Sequence, residues 1–269
     1  MAKRKHLKGI DVDDMELINS KMRPEGLSDG FEYVDGYKNQ LKMLNFKFEV
    51  KCKNEKQKKY FNNLKDLDKK INICNAPAGV GKSFLALAAG LYHLKNGNVS
   101  KIIVIVPTVE ASEATKIGLL PGTIDEKILP YKISTISTLE KILKLSGNMA
   151  YKETVNALVG SGIIEFELLS YARGRNFDDC FIILDEAENL SKRECLLLMS
   201  RLGEGNAKIA LIGDYQQCDR KDIKSLSESG LIYASDKLKG LEEVTIDEFS
   251  NEDIVRNPFL TKLLNAWNN

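Results

Sequence analysis

A glycine-containing turn that ends in lysine and serine could bind the phosphate groups of a nucleotide. Gly79 and Gly81 precede Lys82 and Ser83, in the order found in phosphate-binding loops. Glycine lets backbone N–H groups converge on an anion, a following helix adds its N-terminal dipole, and the lysine ammonium neutralises the β- and γ-phosphates. The Ser83 hydroxyl is then expected to ligate Mg²⁺. The simpler interpretation is a glycine turn that only joins a strand to a helix.

The loop departs from the usual G-x-x-x-x-G-K-[ST] pattern at its first position, which is Ala76. That position must therefore have a conformation that an L-residue can adopt. Upstream, Gln57 lies where many helicases place a glutamine that binds the adenine edge, and the alternative is a solvated glutamine on a charged helix. Together with Gln57, the expected ATP-binding residues are Ala76, Pro77, Ala78, Gly79, Val80, Gly81, Lys82, Ser83 and Phe84.

An acidic pair and a glutamine follow other apolar runs of the chain. Asp185 and Glu186 come at the end of the run 180–184, and Gln217 comes shortly after another such run. An aspartate at the carboxyl end of a buried strand holds Mg²⁺ in phosphoryl-transfer enzymes, and a neighbouring glutamate can polarise the attacking water. We therefore assign Mg²⁺ binding to Asp185 with the loop serine, water activation to Glu186 and γ-phosphate sensing to Gln217. The alternative for the acidic pair is a surface turn.

These residues can meet only if the elements that carry them are aligned. Apolar runs predict strands at residues 71–74, 101–106, 163–169, 180–185, 208–212 and 243–246. Helical patterns lie at residues 51–70, 84–94, from 123 onward, 134–145, 150–159 and 192–202. Phosphate-loop enzymes with this acidic pair usually insert a strand between the loop strand and the aspartate strand, and residues 208–212 would supply it. The prediction is an α/β fold, a RecA-like core with a mainly parallel sheet flanked by helices.

The composition limits the class of protein. The 269 residues are 43% hydrophobic and carry a net charge of +1, so a nucleic-acid site must be a local basic patch. The five cysteines are dispersed without a C-x-x-C pair, which favours thiols in a reducing cytosol over disulfides or zinc. No apolar run approaches the ~18 residues of a membrane span and no signal sequence is evident, so we expect a cytoplasmic protein. Residues 1–50 are interpreted as an N-terminal extension and residues 51–269 as the nucleotide-binding domain.

Ordered motifs along most of the chain resemble the PhoH-like (phosphate-starvation-inducible) P-loop ATPases, relatives of superfamily-one helicases. The motifs are residues 76–83, 107–111, 120–122, 126–127, 130–131, 172–175, 183–189, 201–203, 213–217 and 255–258. Four positions depart from the family pattern, namely Ala76, Val106, Ser112 and Glu188. The resemblance implies ATP and Mg²⁺ as cofactors, and relatives of the family suggest a homo-oligomer that forms a hexameric ring.

Arginine is rare in this chain, where lysine is the usual cation. Arg173, Arg175, Arg201 and Arg256 all lie at motif positions, and the planar guanidinium can bind phosphate through two hydrogen bonds. Two-domain helicases draw an arginine finger from their second domain, so a single domain would need one from a neighbouring subunit. We expect Arg175 or Arg173 in that role, then Arg201, with Arg256 acting within its own chain. The alternative for each arginine is a structural pair with a carboxylate.

Single-stranded RNA or DNA is expected at the carboxyl edge of the sheet, held mostly through its phosphates. The expected contacts are Thr108, Glu110, Ser112, Arg173 and Arg175. Two function classes remain open: an ATP-driven motor or remodeller of single-stranded nucleic acid, and a nucleotide-gated binding or assembly module without motor activity. The acidic pair and the γ-phosphate sensor favour the first, whereas the lack of overall basicity and the valine before the 107–111 motif favour the second.

Overall fold

The computed structural model describes residues 49–107, 124–218 and 228–255, together with Phe259, Lys262 and Ala266, and gives the backbone alone for residues 124–127. These residues belong to the second of the two units into which the chain divides, Phe46–Asn269. The helices are α1 (Glu55–Lys65), α2 (Lys82–Lys95), α3 (Ile124–Leu145), α4 (Tyr151–Gly160), α5 (Lys192–Met199) and α6 (Gly230–Lys237). The strands are β1 (Ile71–Asn75), β2 (Lys101–Val106), β3 (Ile164–Leu168), β4 (Cys180–Leu184), β5 (Lys208–Gly213) and β6 (Val244–Glu248).

Six parallel strands form one sheet in the order β3-β2-β4-β5-β1-β6. The predicted inserted strand is β5, which pairs with β1 through Ile73 and Leu211 and with β4 through Ile182 and Ile209. The α/β class and the parallel sheet are therefore confirmed. Because the strands run the same way, the carboxyl ends of β1, β4 and β5 meet at one edge of the sheet.

Helices cover both faces of the sheet, which explains why β4 and β5 are buried along their whole length and apolar apart from Lys208 at the start of β5. On one face Cys195, Leu198 and Leu231 of α5 and α6 share a buried core with the strands. On the other face α2 packs on β2 and β4 so closely that a Cβ at Gly90 would lie 2.9 Å from Cδ1 of Ile102. The phosphate loop thus joins a central strand to a helix held firmly against the sheet.

Several helix boundaries differ from the predicted ones. α1 begins at Glu55 because the Asn54 side chain caps it, accepting a hydrogen bond from the Gln57 N–H at 2.8 Å. α3 is one continuous helix that includes Pro130, where two helical segments were expected. α5 ends at Met199 because the chain then turns back, and the Phe177 N–H donates to the Arg201 carbonyl at 2.9 Å.

The five cysteines are all free thiols, and Cys74, Cys180 and Cys195 are buried. Burial raises the pKa of Cys180 to about 12 and that of Cys195 to about 12, so both thiols stay protonated at neutral pH. Within the described ranges, no helix has both the length and the apolar character that crossing a bilayer requires.

Candidate nucleotide site

The phosphate loop follows the carboxyl end of β1 and leads into α2. The Ala76 N–H donates to the Gly213 carbonyl at 2.9 Å, which fastens the start of the loop to the end of β5. Gly79 and Gly81 have φ values of 91° and 88°, a left-handed conformation that glycine adopts without steric cost. Lys82 is the first residue of α2. Because the first N–H groups of a helix have no partner within the helix, those at the start of α2 are available to bind an anion.

Ala76 replaces the usual glycine without backbone strain. Among the described residues other than glycine, only Asp179 and Glu186 have a positive φ, so the first loop position is one that an L-residue adopts. Ala76 and Val80 are buried in the turn, whereas the other loop positions are partly exposed: Pro77, Ala78, Gly79, Gly81, Lys82, Ser83 and Phe84.

Lys82, Ser83 and Asp185 lie together at the start of α2. The Lys82 ammonium donates to the Ala76 carbonyl at 2.9 Å, and the Ser83 hydroxyl donates to Oδ2 of Asp185 at 2.5 Å. The two expected Mg²⁺ ligands, 102 residues apart in sequence, are therefore in contact. A hydroxyl and a carboxylate are the oxygen donors that Mg²⁺ prefers, with phosphate oxygens and water completing its shell. This donor set fits Mg²⁺, and the adjacent lysine fits the phosphates of a nucleotide.

Glu186 follows Asp185 in a left-handed conformation, with φ 59° and ψ 37°. Its N–H donates to Oδ1 of Asp185 at 3.1 Å, and the Tyr131 hydroxyl donates to its Oε2 at 3.0 Å. Burial, then the Glu186 charge, raises the pKa of Tyr131, so the phenol keeps its proton. Sequence reasoning placed Tyr131 in a motif but assigned it no role, because only the fold brings α3 to the end of β4.

At the end of β5, the Asp214 carboxylate holds the side chain of Gln217, the predicted γ-phosphate sensor. Asp214 is buried, and its side chain accepts hydrogen bonds from the Gln217 Nε2 at 2.9 Å and the Gln216 N–H at 3.1 Å. Gln217 is itself exposed. Its amide is thus held in one orientation at the edge where β5 ends between the loop strand and the aspartate strand.

Glu188 is a buried carboxylate beneath the site that sequence reasoning noted only as a departure from the family pattern. The Asp214 N–H donates to its Oε2 at 3.1 Å, and a Cβ at Gly213 would lie only 2.4 Å from that oxygen. Burial raises the pKa of Glu188 to about 7, and the charges of Asp185 and Glu186 add to this. The residue therefore ties the turn after β4 to the turn after β5.

Gln57 is buried against the phosphate loop, and only 4% of it is exposed. Its Nε2 donates to the Val80 carbonyl at 2.7 Å, and its Oε1 accepts from the Lys53 N–H at 2.6 Å. The alternative of a solvated glutamine is therefore wrong. Whether its remaining N–H binds a base stays a prediction.

A second segment, from the C-terminal part of the domain, contacts the same loop. The Val255 N–H donates to the Gly79 carbonyl at 3.2 Å, and the Val255 carbonyl accepts from Lys53 Nζ at 3.3 Å. Lys56 and Asp253 form an ion pair at 2.8 Å. We call these contacts between residues 53–57 and 253–255 the clasp. It was not predicted, because no local pattern links segments so distant in sequence.

The arginines differ in what they contact. Arg175 pairs with Glu167 at 2.6 Å and Glu165 at 3.5 Å on β3, with its guanidinium carbon 5.5 Å from the Phe177 ring centre. This geometry supports the structural alternative for Arg175. Arg173 is exposed, and the buried Nε of Arg201 has no hydrogen-bond partner among the described residues. Four predicted site residues lie outside the described residues, namely Thr108, Glu110, Ser112 and Arg256.

A cleft of about 250 Å³ lies beside the phosphate loop, where β1, β5 and β6 end. Its lining consists of Asn75, Pro77, Asp214, Tyr215, Gln216, Phe249, Ser250 and Asn251. Pro77 is the single predicted ATP contact among these residues, so the cleft adjoins the phosphate site without including the lysine or the Mg²⁺ ligands.

Known proteins match the chain along most of its length. Residues 49–268 match the family described as PhoH-like protein. The chain is 33% identical over 262 residues to a PhoH-like protein of Bacillus subtilis, covering 97% of this chain and 76% of that protein. It is 36% identical over 191 residues to a PhoH-like protein of Mycobacterium tuberculosis, covering 71% of this chain and 51% of that one. It is 31% identical over 218 residues to protein PhoH of Escherichia coli, covering 81% and 58%. The chain thus spans little more than half the length of two of these three relatives.

Proposed function

Because this chain belongs to the PhoH-like protein family, we propose that it is a Mg²⁺-dependent ATPase that acts on single-stranded RNA or DNA. One observation carries the ATPase part of the proposal. The fold brings the Ser83 hydroxyl and the Asp185 carboxylate into contact directly beside Lys82, at the start of the phosphate-loop helix. Hydroxyl, carboxylate and ammonium together are the groups that a metal-bound triphosphate needs.

Each residue of the site has a role in this proposal. Lys82 and the N–H groups of the loop neutralise the β- and γ-phosphates, while Ser83 and Asp185 hold Mg²⁺. The metal would offset the negative charge that develops on the phosphate oxygens. Glu186 accepts a hydrogen bond from the attacking water and orients it toward the γ-phosphate. Gln217 contacts the γ-phosphate and relays its loss through Asp214.

ATP turnover with the Glu186→Gln variant tests the proposal. The amide keeps the shape of the side chain but removes its charge, so ATP should bind normally while kcat falls by about 10²-fold or more. Lys82→Ala should also weaken ATP binding, because the phosphates lose a cation. Binding is measured with a fluorescent ATP analogue and turnover by phosphate release. Normal turnover in Glu186→Gln would remove that residue from catalysis.

The same assay separates the motor from the nucleotide-gated module. A motor should hydrolyse ATP faster when single-stranded RNA or DNA is added, and its affinity for the strand should fall steeply with salt. The intact set Asp185, Glu186 and Gln217 supports the motor, because a switch needs no water-activating carboxylate. A module would bind ATP without stimulation by nucleic acid, and the net charge of +1 favours this alternative.

The proposed active form is a homo-oligomeric ring, a hexamer by resemblance to relatives. The described residues contain one RecA-like domain, and the transition state of phosphoryl transfer calls for an arginine finger. A neighbouring subunit in a closed ring would supply it, because a head-to-tail interface repeats until the ring closes.

A further inference from the structure

Tyr131 connects two parts of the domain that are separate in sequence. Its ring packs on the buried cluster of Val106, Ile128 and Leu168, at the carboxyl ends of β2 and β3. Its hydroxyl lies 3.0 Å from Oε2 of Glu186, at the end of β4. The ring therefore packs at the ends of β2 and β3, while the hydroxyl contacts Glu186 at the end of β4.

The direction of the Glu186 carboxylate matters because this residue is the proposed water-activating group. The residue is exposed and lies in the left-handed region at φ 59°, a conformation that costs free energy in residues with a Cβ. An exposed glutamate side chain rotates about three bonds, and water activation needs one of its oxygens directed at the γ-phosphate. A fixed donor on one carboxylate oxygen leaves the other oxygen in a defined direction.

We propose that Tyr131 is a positioning residue for ATP hydrolysis, which holds Oε2 of Glu186 so that Oε1 faces the attacking water. This inference rests on the ATPase function proposed above. The same contact would let α3 couple the strand ends to the site. A ligand that moves the ends of β2 and β3 would move the Tyr131 ring and, with it, the Glu186 carboxylate. The proposed nucleic-acid edge includes those strand ends.

The Tyr131→Phe variant removes the hydroxyl and keeps the ring in the apolar cluster. The lost hydrogen bond is made to a charged group and is needed in the transition state, so kcat should fall about tenfold or more. KM for ATP and the Kd for a non-hydrolysable ATP analogue should stay within about twofold, because the hydroxyl does not contact the nucleotide. Tyr233→Phe is the matched control, since Tyr233 lies on α6 and its ring contacts Lys192 and Lys237; its kcat should not change.

A double variant tests whether the hydroxyl acts through Glu186. In the Glu186→Gln background, adding Tyr131→Phe should cause no further loss of kcat. A full additional loss would assign Tyr131 another role and overturn the inference, as would an unchanged or faster Tyr131→Phe enzyme. If the unaltered protein hydrolyses no ATP, the proposed function itself fails. If it hydrolyses ATP through Glu186 and Tyr131→Phe has no effect, the positioning role alone is wrong.

Discussion

Glu188 and His93 are both buried, yet burial moves their pKa values in opposite directions. The pKa of Glu188 rises from 4.5 to about 7, and the pKa of His93 falls from 6.5 to about 4. His93 is neutral in the fold: one ring nitrogen donates to the Leu64 carbonyl at 2.9 Å and the other accepts from Asn98 at 3.1 Å. As pH falls, the folded state takes up a proton on Glu188 before the unfolded chain does, which stabilises the fold. For His93 the unfolded chain takes up the proton first, which destabilises it.

The Glu188→Gln variant should therefore lose stability on acidification more steeply than the unaltered protein. Without the glutamate, the destabilising effect of His93 between pH 6.5 and 4 is no longer offset by Glu188, and one such group contributes a slope of at most about 1.4 kcal/mol per pH unit. Urea unfolding at a series of pH values measures this slope for both proteins. Parallel stability curves would show that Glu188 is not titrating in this range.

At the scale of the elements, two glycines in helices distinguish tight packing from free surface. Gly90→Ala should destabilise the domain by about 1–3 kcal/mol, because the new Cβ would meet Ile102 across the interface of α2 with the sheet. Gly160→Ala is the matched control at the end of α4. A Cβ there has no neighbour within 4 Å, so it should stabilise by about 0.4–1 kcal/mol through lower entropy of the unfolded chain. Denaturant midpoints give both values, and equal effects would contradict the observed packing.

The strands β2, β4 and β5 were predictable because their apolar runs are buried on both faces, which leaves a local signal in the sequence. The Ser83–Asp185 contact was predictable for a similar reason, since parallel strands bring their carboxyl ends to one edge. The contacts of Tyr131, Glu188 and Val255 were not, because each depends on how elements distant in sequence pack, and neither spacing nor residue type records this. Arg175 marks a further limit: its residue type fits phosphate and carboxylate equally well, and only the fold shows Glu165 and Glu167 beside it.

For the whole molecule, the proposed ring requires that one subunit complete the site of the next. Arg173 is the arginine to test. Both arginines are exposed, but the Arg175 guanidinium is paired with Glu167 of β3. Arg173→Ala and Lys82→Ala should each be nearly inactive alone, with losses of about 10³-fold for a missing finger. Mixed together they should regain turnover, because a Lys82→Ala subunit supplies the arginine to an intact phosphate loop.

Turnover across mixing ratios, with mass measured by light scattering, checks this prediction. Arg193→Ala is the matched control, since Arg193 is exposed on α5, and it should hydrolyse ATP at the full rate. The ring proposal is wrong if mixing restores nothing and a monomeric preparation hydrolyses ATP at the full rate.

The clasp has a consequence for the order in which the domain folds. It joins Lys53 to Val255, which are 202 residues apart, and both neighbours of β1 in the sheet also come from the last third of the chain. Contacts between such distant segments form late in folding, because the loop must close before they contribute. A nascent chain that has emerged only as far as its glycine turn therefore has no closed pocket for a nucleotide. Under the proposed function, ATP would stabilise the finished domain by mass action but would not guide the assembly of its earlier parts.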